Sequence, residues 1–231
     1  QSQVGKIINS LEKSNIDIIE LGYLHKKRGG EENSTLFNAT SSIDVILNGA
    51  SSSIQKVVMI DLFAFDIDKL PKQVDTKIDG IRLAFHKKDI TDALQTAKKI
   101  INLGYQLFFQ PMVTKTYTDK EFLALIEKVG QIDIYAFYIV DSFGSMSLSE
   151  FKHYISLADA NLNKGVGLGY HSHNNMQLAF SNAINFCNSQ IDREIIIDSS
   201  IYGMGRGAGN LNTELIAEYL NNQGHKKYKV L

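Results

Sequence analysis

Only one cysteine, Cys187, occurs in the 231 residues. A lone thiol cannot close an internal disulfide, so a reducing compartment, the cytoplasm, is the expected location. Its neighbours Ile184, Phe186 and Ile191 mark it as a buried thiol rather than a nucleophile. A basic excess is also missing: 24 Lys and Arg against 25 Asp and Glu give a formal net charge of −1 and a pI near 6.7. Surfaces for nucleic acid or anionic lipid need concentrated positive charge, so neither partner is expected. The one basic cluster, Lys26-Lys27-Arg28, reads as a solvated loop. No apolar run reaches the roughly 20 residues that span a bilayer, and no signal-peptide pattern opens the chain.

What is present suits a single globular domain over residues 1–231, with 44% hydrophobic and 21% charged residues to build a core and a surface. The chain opens on Gln1-Ser2-Gln3 without a methionine, so residues upstream of Gln1 are expected.

Along the chain, strand-like and helix-like stretches alternate. Val4 to Leu11 carries a helical apolar face and Ile16 to Leu21 is a buried-strand run holding Glu20. His25 to Thr40 lacks periodicity and reads as a mobile loop before a helix over Ser42 to Leu47. Strands then follow over Val57–Phe63, Gly80–His86, Gln106–Met112, Ile132–Val140, Val166–His173 and Glu194–Ile201. Helices are expected over Thr91–Leu103, Lys120–Val129 capped by Thr118, Leu148–Leu157, Gln177–Asn188 and Thr213–Leu220. Seven near-continuous apolar strands with helical connections predict a parallel sheet covered on both faces.

Two architectures carry that pattern, an open doubly wound sheet and a closed (β/α)8 TIM barrel. Polar residues at or near the ends of many different strands, Glu20, Asp61, His86, Gln110, Asp141, His171 and Asn210, favour the barrel, which collects such residues around one mouth. With seven strands in view and a helix first, the missing strand is expected to be strand one, upstream of Gln1.

Two stretches concentrate the chemistry. In Gly169-Tyr170-His171-Ser172-His173-Asn174-Asn175, the two histidines stand two apart at a strand end and share one face, which makes half a metal site. The alternative is a pair of hydrogen-bonded barrel histidines. The run Asp198 to Asn210 leaves a strand into a loop with glycine at alternate positions, where the backbone can approach a ligand closely and the Asn210 amide can turn back toward the imidazoles. Asn210 could equally cap the last helix, and the two roles are compatible. A phosphate-binding role for Gly203, Gly205 and Ala208 is disfavoured, because no strand follows to complete a βαβ unit. Neutral imidazoles with oxygen ligands suit manganese, and magnesium or zinc less uniquely. Glu20 and His86 are candidates for positioning or proton transfer, while Asp141 and Ser142, with Gly205 and Gly207 of the loop, are candidates for the substrate pocket. His25, His153 and His225 read as solvated.

The paired motifs, His171-Ser172-His173-Asn174-Asn175 and Asp198-Ser199-Ser200 through Gly203-Met204-Gly205-Arg206-Gly207-Ala208-Gly209-Asn210, resemble the metal-dependent pyruvate-type aldolase and condensing-enzyme superfamily of HMG-CoA lyase-like barrels. Weaker echoes lie at Ile19-Glu20-Leu21-Gly22 and Val140-Asp141-Ser142. The resemblance implies a (β/α)8 barrel with a divalent cation on His171 and His173, Asn210 close by, and a strand-one aspartate as a further ligand. The superfamily's strand-one Arg-Asp pair is not in the sequence, and neither Glu20 nor Arg28 can stand for it. The loop lacks the cysteine of the CoA-ester lyases and is most similar to that of the 4-hydroxy-2-oxovalerate aldolases.

The reading that follows is an aldolase that cleaves a small 4-hydroxy-2-oxo acid to pyruvate and an aldehyde through a metal-stabilised enolate. A condensing acyltransferase using acetyl-CoA and a catalytically inactive barrel serving as a binding module are the alternatives. The resemblance also raises an aldehyde dehydrogenase as a candidate partner; a homo-oligomer is left open.

Overall fold

The computed structural model describes residues 3–26, 34–47, 54–224 and 228–229. Residues 27–33 of the expected loop, Lys27 and Arg28 of the basic cluster, His225 and the first two residues lie outside them.

The chain divides into two units, one holding the residues up to Phe85 together with Thr91–Phe108, the other His86–Ile90 together with Phe109 onward. In the first, helix α1 (Gln3–Lys13) leads into β1 (Ile18–Leu24), then β2 (Leu36–Phe37), α2 (Thr40–Ile46), β3 (Gln55–Asp61), β4 (Gly80–Phe85), α3 (Ile90–Asn102) and the start of β5 (Gln106–Pro111). Its strands lie in the order β2-β1-β3-β4, each pair of neighbours parallel. Every residue of β4 is buried, as a strand covered on both faces requires.

One buried member of β4 is charged. Arg82 pairs through Nη1 with the Glu20 carboxylate of β1. A guanidinium carried into a sheet interior is tolerable only with such a partner, so the pair fixes Glu20 as much as Glu20 neutralises Arg82.

The second unit continues with α4 (Asp119–Val129), β6 (Ala136–Asp141), α5 (Leu148–Asn161), β7 (Gly167–Ser172), α6 (Ala179–Cys187), β8 (Ile195–Ile197) and α7 (Thr213–Asn222). Strands β6, β7 and β8 follow one another in the sheet, parallel, with Val140 opposite His171 and Tyr170 opposite Ile197. Thr118 and Ser147 each close a capping box, with Glu121 and Glu150, which sets the starts of α4 and α5 to the residue. Beneath the strand ends Phe122 packs edge-on against Tyr117, Phe137 and Tyr154, at centroid distances of 6.3, 5.8 and 5.1 Å. Arg193 pins the approach to β8: its guanidinium donates to the Asp159 carboxylate at 2.7 Å and to the carbonyls of Val166 and Asp159 at 2.7 and 2.9 Å.

Three sequence expectations shift. Leu36–Phe37, inside the expected loop, forms the short strand β2 beside Tyr23 and Leu24. Ile132 to Tyr135 is not strand, because Ile132 and Ile134 donate to Val129 and Ile132 and close the turn after α4. The last strand stops at Ile197 rather than Ile201, since Ser200 turns to pair with Leu211 and Asn212. Among the described residues, no helix is long and apolar enough to cross a membrane.

Phe122→Ala should lower unfolding free energy by about 3–5 kcal/mol, read by urea denaturation, because a fully buried ring with three aromatic neighbours leaves a large cavity. Burial pushes the Cys187 thiol up to about 11. Cys187 is half-buried rather than buried as expected; iodoacetamide should still label it on the order of 10²-fold more slowly in the folded chain at pH 7.5 than in urea, and equal rates would contradict the raised thiol.

Candidate active site

The ends of β6, β7 and β8 carry the candidate residues of the second unit. β7 is short on bulk where it must be: a Cβ on Gly169 would lie 2.4 Å from the Tyr138 ring of β6, so only glycine lets the strands lie this close with that tyrosine between them. His171 and His173 emerge at the end of this strand with ring centroids 5.6 Å apart and nearly perpendicular planes, at 78°. The same-face placement read from their spacing therefore brings the two imidazoles together.

Their surroundings differ. His171 Nδ1 lies 2.8 Å from Asp198 Oδ2, and both side chains are largely buried. His173 Nδ1 has the Arg206 carbonyl at a longer 3.4 Å. Burial, followed by the neighbouring His171, holds the His173 imidazole below its ordinary titration range, so it is neutral near pH 7 and able to act as a ligand.

The loop after β8 is closed on itself. Ser200 N–H donates to the Leu211 carbonyl and Thr213 N–H to the Ser200 carbonyl, so both loop ends meet at one point. Tyr202 stands in the left-handed region at φ 52, held there by two contacts from its N–H to the Glu214 carboxylate, at 3.1 and 3.0 Å. Gly209, at φ +86, could not be any other residue, since a Cβ would fall 2.1 Å from the Gly203 carbonyl oxygen.

These constraints return the chain to β7. Asn174 N–H donates to the Gly209 carbonyl at 2.9 Å, and His173 and Asn210 form an antiparallel bridge. Asn210 Nδ2 donates to the Met204 carbonyl at 3.1 Å, while its Oδ1 is buried with no hydrogen-bond partner among the described residues. A Cβ on Gly205 would lie 2.6 Å from that amide nitrogen. Gly207 lies beside the Asn175 amide, whose oxygen accepts from Ala208 N–H at 2.9 Å and whose Nδ2 donates to the Phe143 carbonyl at 2.8 Å.

The orphaned Asn210 oxygen tests whether these residues suit a cation. An unpaired buried acceptor costs about 1–3 kcal/mol and calls for a partner. A divalent cation shared with the two imidazoles would supply one, and one amide oxygen with two ring nitrogens is a donor set that manganese, magnesium or zinc accepts. Among the described residues, no group of three His, Cys, Asp or Glu side chains is arranged to hold a metal.

The other candidates are placed as follows. Asp141 is buried, its two oxygens accepting from Ser145 and Met146 N–H at 3.0 and 2.9 Å, so its carboxylate shapes the loop after β6. Ser142 Oγ accepts from Val113 N–H at 2.9 Å. His86 is exposed at the end of β4 and lines a cleft of about 350 Å³ with Lys88, Met112, Val113 and Thr116. Glu20 lies in the first unit, on Arg82. Of the histidines read as solvated, His153 sits 2.7 Å from Asp119 on the surface.

Asp198, Asn175 and Arg82 were not given roles by sequence reasoning. Asp198 and Asn175 stood inside the two motifs, and pairing of Tyr170 with Ile197 is what puts Asp198 beside His171; no local pattern announces it.

Comparison with known proteins gives a consistent picture. The chain is 25% identical over 219 residues to 4-hydroxy-2-oxovalerate aldolase 6 of Rhodococcus jostii, covering 94% of this chain and 61% of that protein. It thus spans less than two thirds of that relative's length. Among solved structures, the N-terminal domain of a candidate aldolase from Bacteroides vulgatus superposes with a TM-score of 0.80 at 25% identity, over 99% of this chain and 76% of that one. HMG-CoA lyase from Brucella melitensis superposes with a TM-score of 0.74 at 14% identity, over 97% and 84%. These likenesses show the fold, the (β/α)8 barrel class expected from the polar residues at the ends of many strands. The HMGL-like family model matches residues 1–230, and the chain belongs to that family.

Proposed function

We propose that this chain provides the catalytic barrel of a divalent-metal-dependent aldolase that cleaves a small 4-hydroxy-2-oxo acid to pyruvate and an aldehyde. The observation that carries the reading is the buried Asn210 oxygen, without a partner among the described residues, on a residue whose backbone bridges to His173, the imidazole of which lies against that of His171. Its relatives named 4-hydroxy-2-oxovalerate aldolase support the substrate class.

In this reading His171, His173 and Asn210 hold the cation, manganese before magnesium or zinc. When bound, it supplies Lewis-acid polarisation of the oxo acid's carbonyl. The remaining steps belong to the chain. A base takes the proton of the C4 hydroxyl, the C3–C4 bond breaks to release the aldehyde, and the three-carbon fragment takes up a proton to become pyruvate. Glu20 and His86 are the candidates for these proton transfers. The Arg82 guanidinium holds the Glu20 carboxylate in place. Ser142 accepts from Val113 yet keeps its own hydroxyl proton to donate to substrate. Gly205 and Gly207 admit substrate close to the loop backbone.

The test is divalent-metal content of the protein as purified, against a His171→Ala/His173→Ala double mutant, followed by pyruvate release from 4-hydroxy-2-oxo acids. Near-stoichiometric metal that vanishes in the mutant, with pyruvate release falling at least about 10²-fold, is expected. A wild-type protein that takes up no metal even after loading would sink the proposal. Gly205→Ala should weaken manganese binding about tenfold or more while shifting the thermal midpoint little, because the added methyl meets the Asn210 side chain rather than the fold's core. Unchanged affinity by isothermal titration would remove Asn210 from the ligand set.

A further inference from the structure

The two imidazoles are not equivalent, and the difference lies in one carboxylate. Tyr170 of β7 is in register with Ile197 of β8, so the next residue of each strand, His171 and Asp198, stand side by side. Asp198 N–H continues the ladder, donating to the Tyr170 carbonyl at 3.0 Å, which fixes the backbone from which its side chain projects. The carboxylate then reaches His171 Nδ1 at 2.8 Å, with side-chain exposures of 15% and 21%. That combination of short distance, fixed backbone and limited water is what a charge-assisted hydrogen bond needs to hold one geometry.

We infer that Asp198 is a positioning residue that locks His171 as the Nδ1–H tautomer and so presents the Nε2 lone pair as a ligand. An ionised carboxylate can only accept, so the proton of a neutral ring must lie on the nitrogen facing it. The other nitrogen is then a lone-pair donor before any cation arrives. Histidines that ligate metals commonly give their second N–H to a carboxylate or carbonyl, which sets tautomer and ring orientation and raises basicity. His173 lacks such a clamp, its Nδ1 having only the distant Arg206 carbonyl of the glycine loop. His171 is thus the preformed ligand, and His173 is the one whose placement follows the loop. The ligand half of this inference rests on the proposed metal site; the tautomer half does not.

The experiment compares wild type, Asp198→Ala and the near-isosteric Asp198→Asn, each metal-free at a pH above the histidine titration range. Ring-nitrogen NMR of 15N-histidine-labelled protein, with His171 assigned by its absence in His171→Ala, reads the tautomer; manganese titration reads affinity. Wild type should show His171 protonated at Nδ1. Asp198→Ala should show a tautomer mixture with Nε2–H present, and manganese affinity reduced about 10- to 100-fold. Asp198→Asn, whose amide can donate as well as accept, should also lose the single tautomer and guards against a mere folding defect. Nε2–H in wild type, or an unmoved tautomer and an affinity within twofold in both variants, overturns the inference. A wild type that binds no manganese defeats the aldolase proposal and the ligand half with it, and the tautomer comparison still decides the role of Asp198.

Discussion

A short antiparallel contact, His173 against Asn210 with Asn174 N–H on the Gly209 carbonyl, holds the end of β7 to the loop that follows β8. Parallel strands alone bring their ends to the same edge of a sheet but leave the loops beyond them free to diverge. The bridge removes that freedom. It makes Asn210, 37 residues after His173, a fixed neighbour of that histidine, and it explains why the loop between is built so tightly. Gly209 must pass where no Cβ fits, Gly205 must leave room for the Asn210 amide, and Tyr202 is kept in a left-handed conformation by Glu214.

The carboxylates around these loops divide by what they face. Asp141 serves two backbone amides of its own loop, Glu214 serves Tyr202, and Glu121 and Glu150 close capping boxes. Each satisfies backbone donors that a turn or helix start would leave without partners. Asp198 differs because an imidazole is among its partners. An acid spent on backbone shapes a loop, whereas an acid on a titratable ring selects that ring's tautomer, so chemistry in this unit is assigned by partner and not by residue type.

Much of this was legible in the sequence. Period and capping located α3, α4 and α5, and the two-residue spacing of His171 and His173 put both rings on one face. What sequence could not carry was set by partners far along the chain. β2 is two residues long and exists because Tyr23 and Leu24 offer it a ladder, which no periodicity over so few residues reveals. Ile132 and Ile134 look like strand because they are apolar and β-branched, but they are used to close a turn. The role of Asp198 depends on register between β7 and β8, and that of Arg82 on β1, two strands away in the sheet. Local patterns named the elements; pairings between them named the partners.

Asn175 joins two loops through one planar group: its nitrogen holds the Phe143 carbonyl after β6 and its oxygen holds Ala208 N–H after β8. A primary amide is rigid, so its two ends cannot reorient independently. When the side chain rotates away, both loops lose this hydrogen bond in the same event. The Asp141–Gly144 turn and the glycine run are therefore coupled through this one side chain, although more than 60 residues of chain separate them.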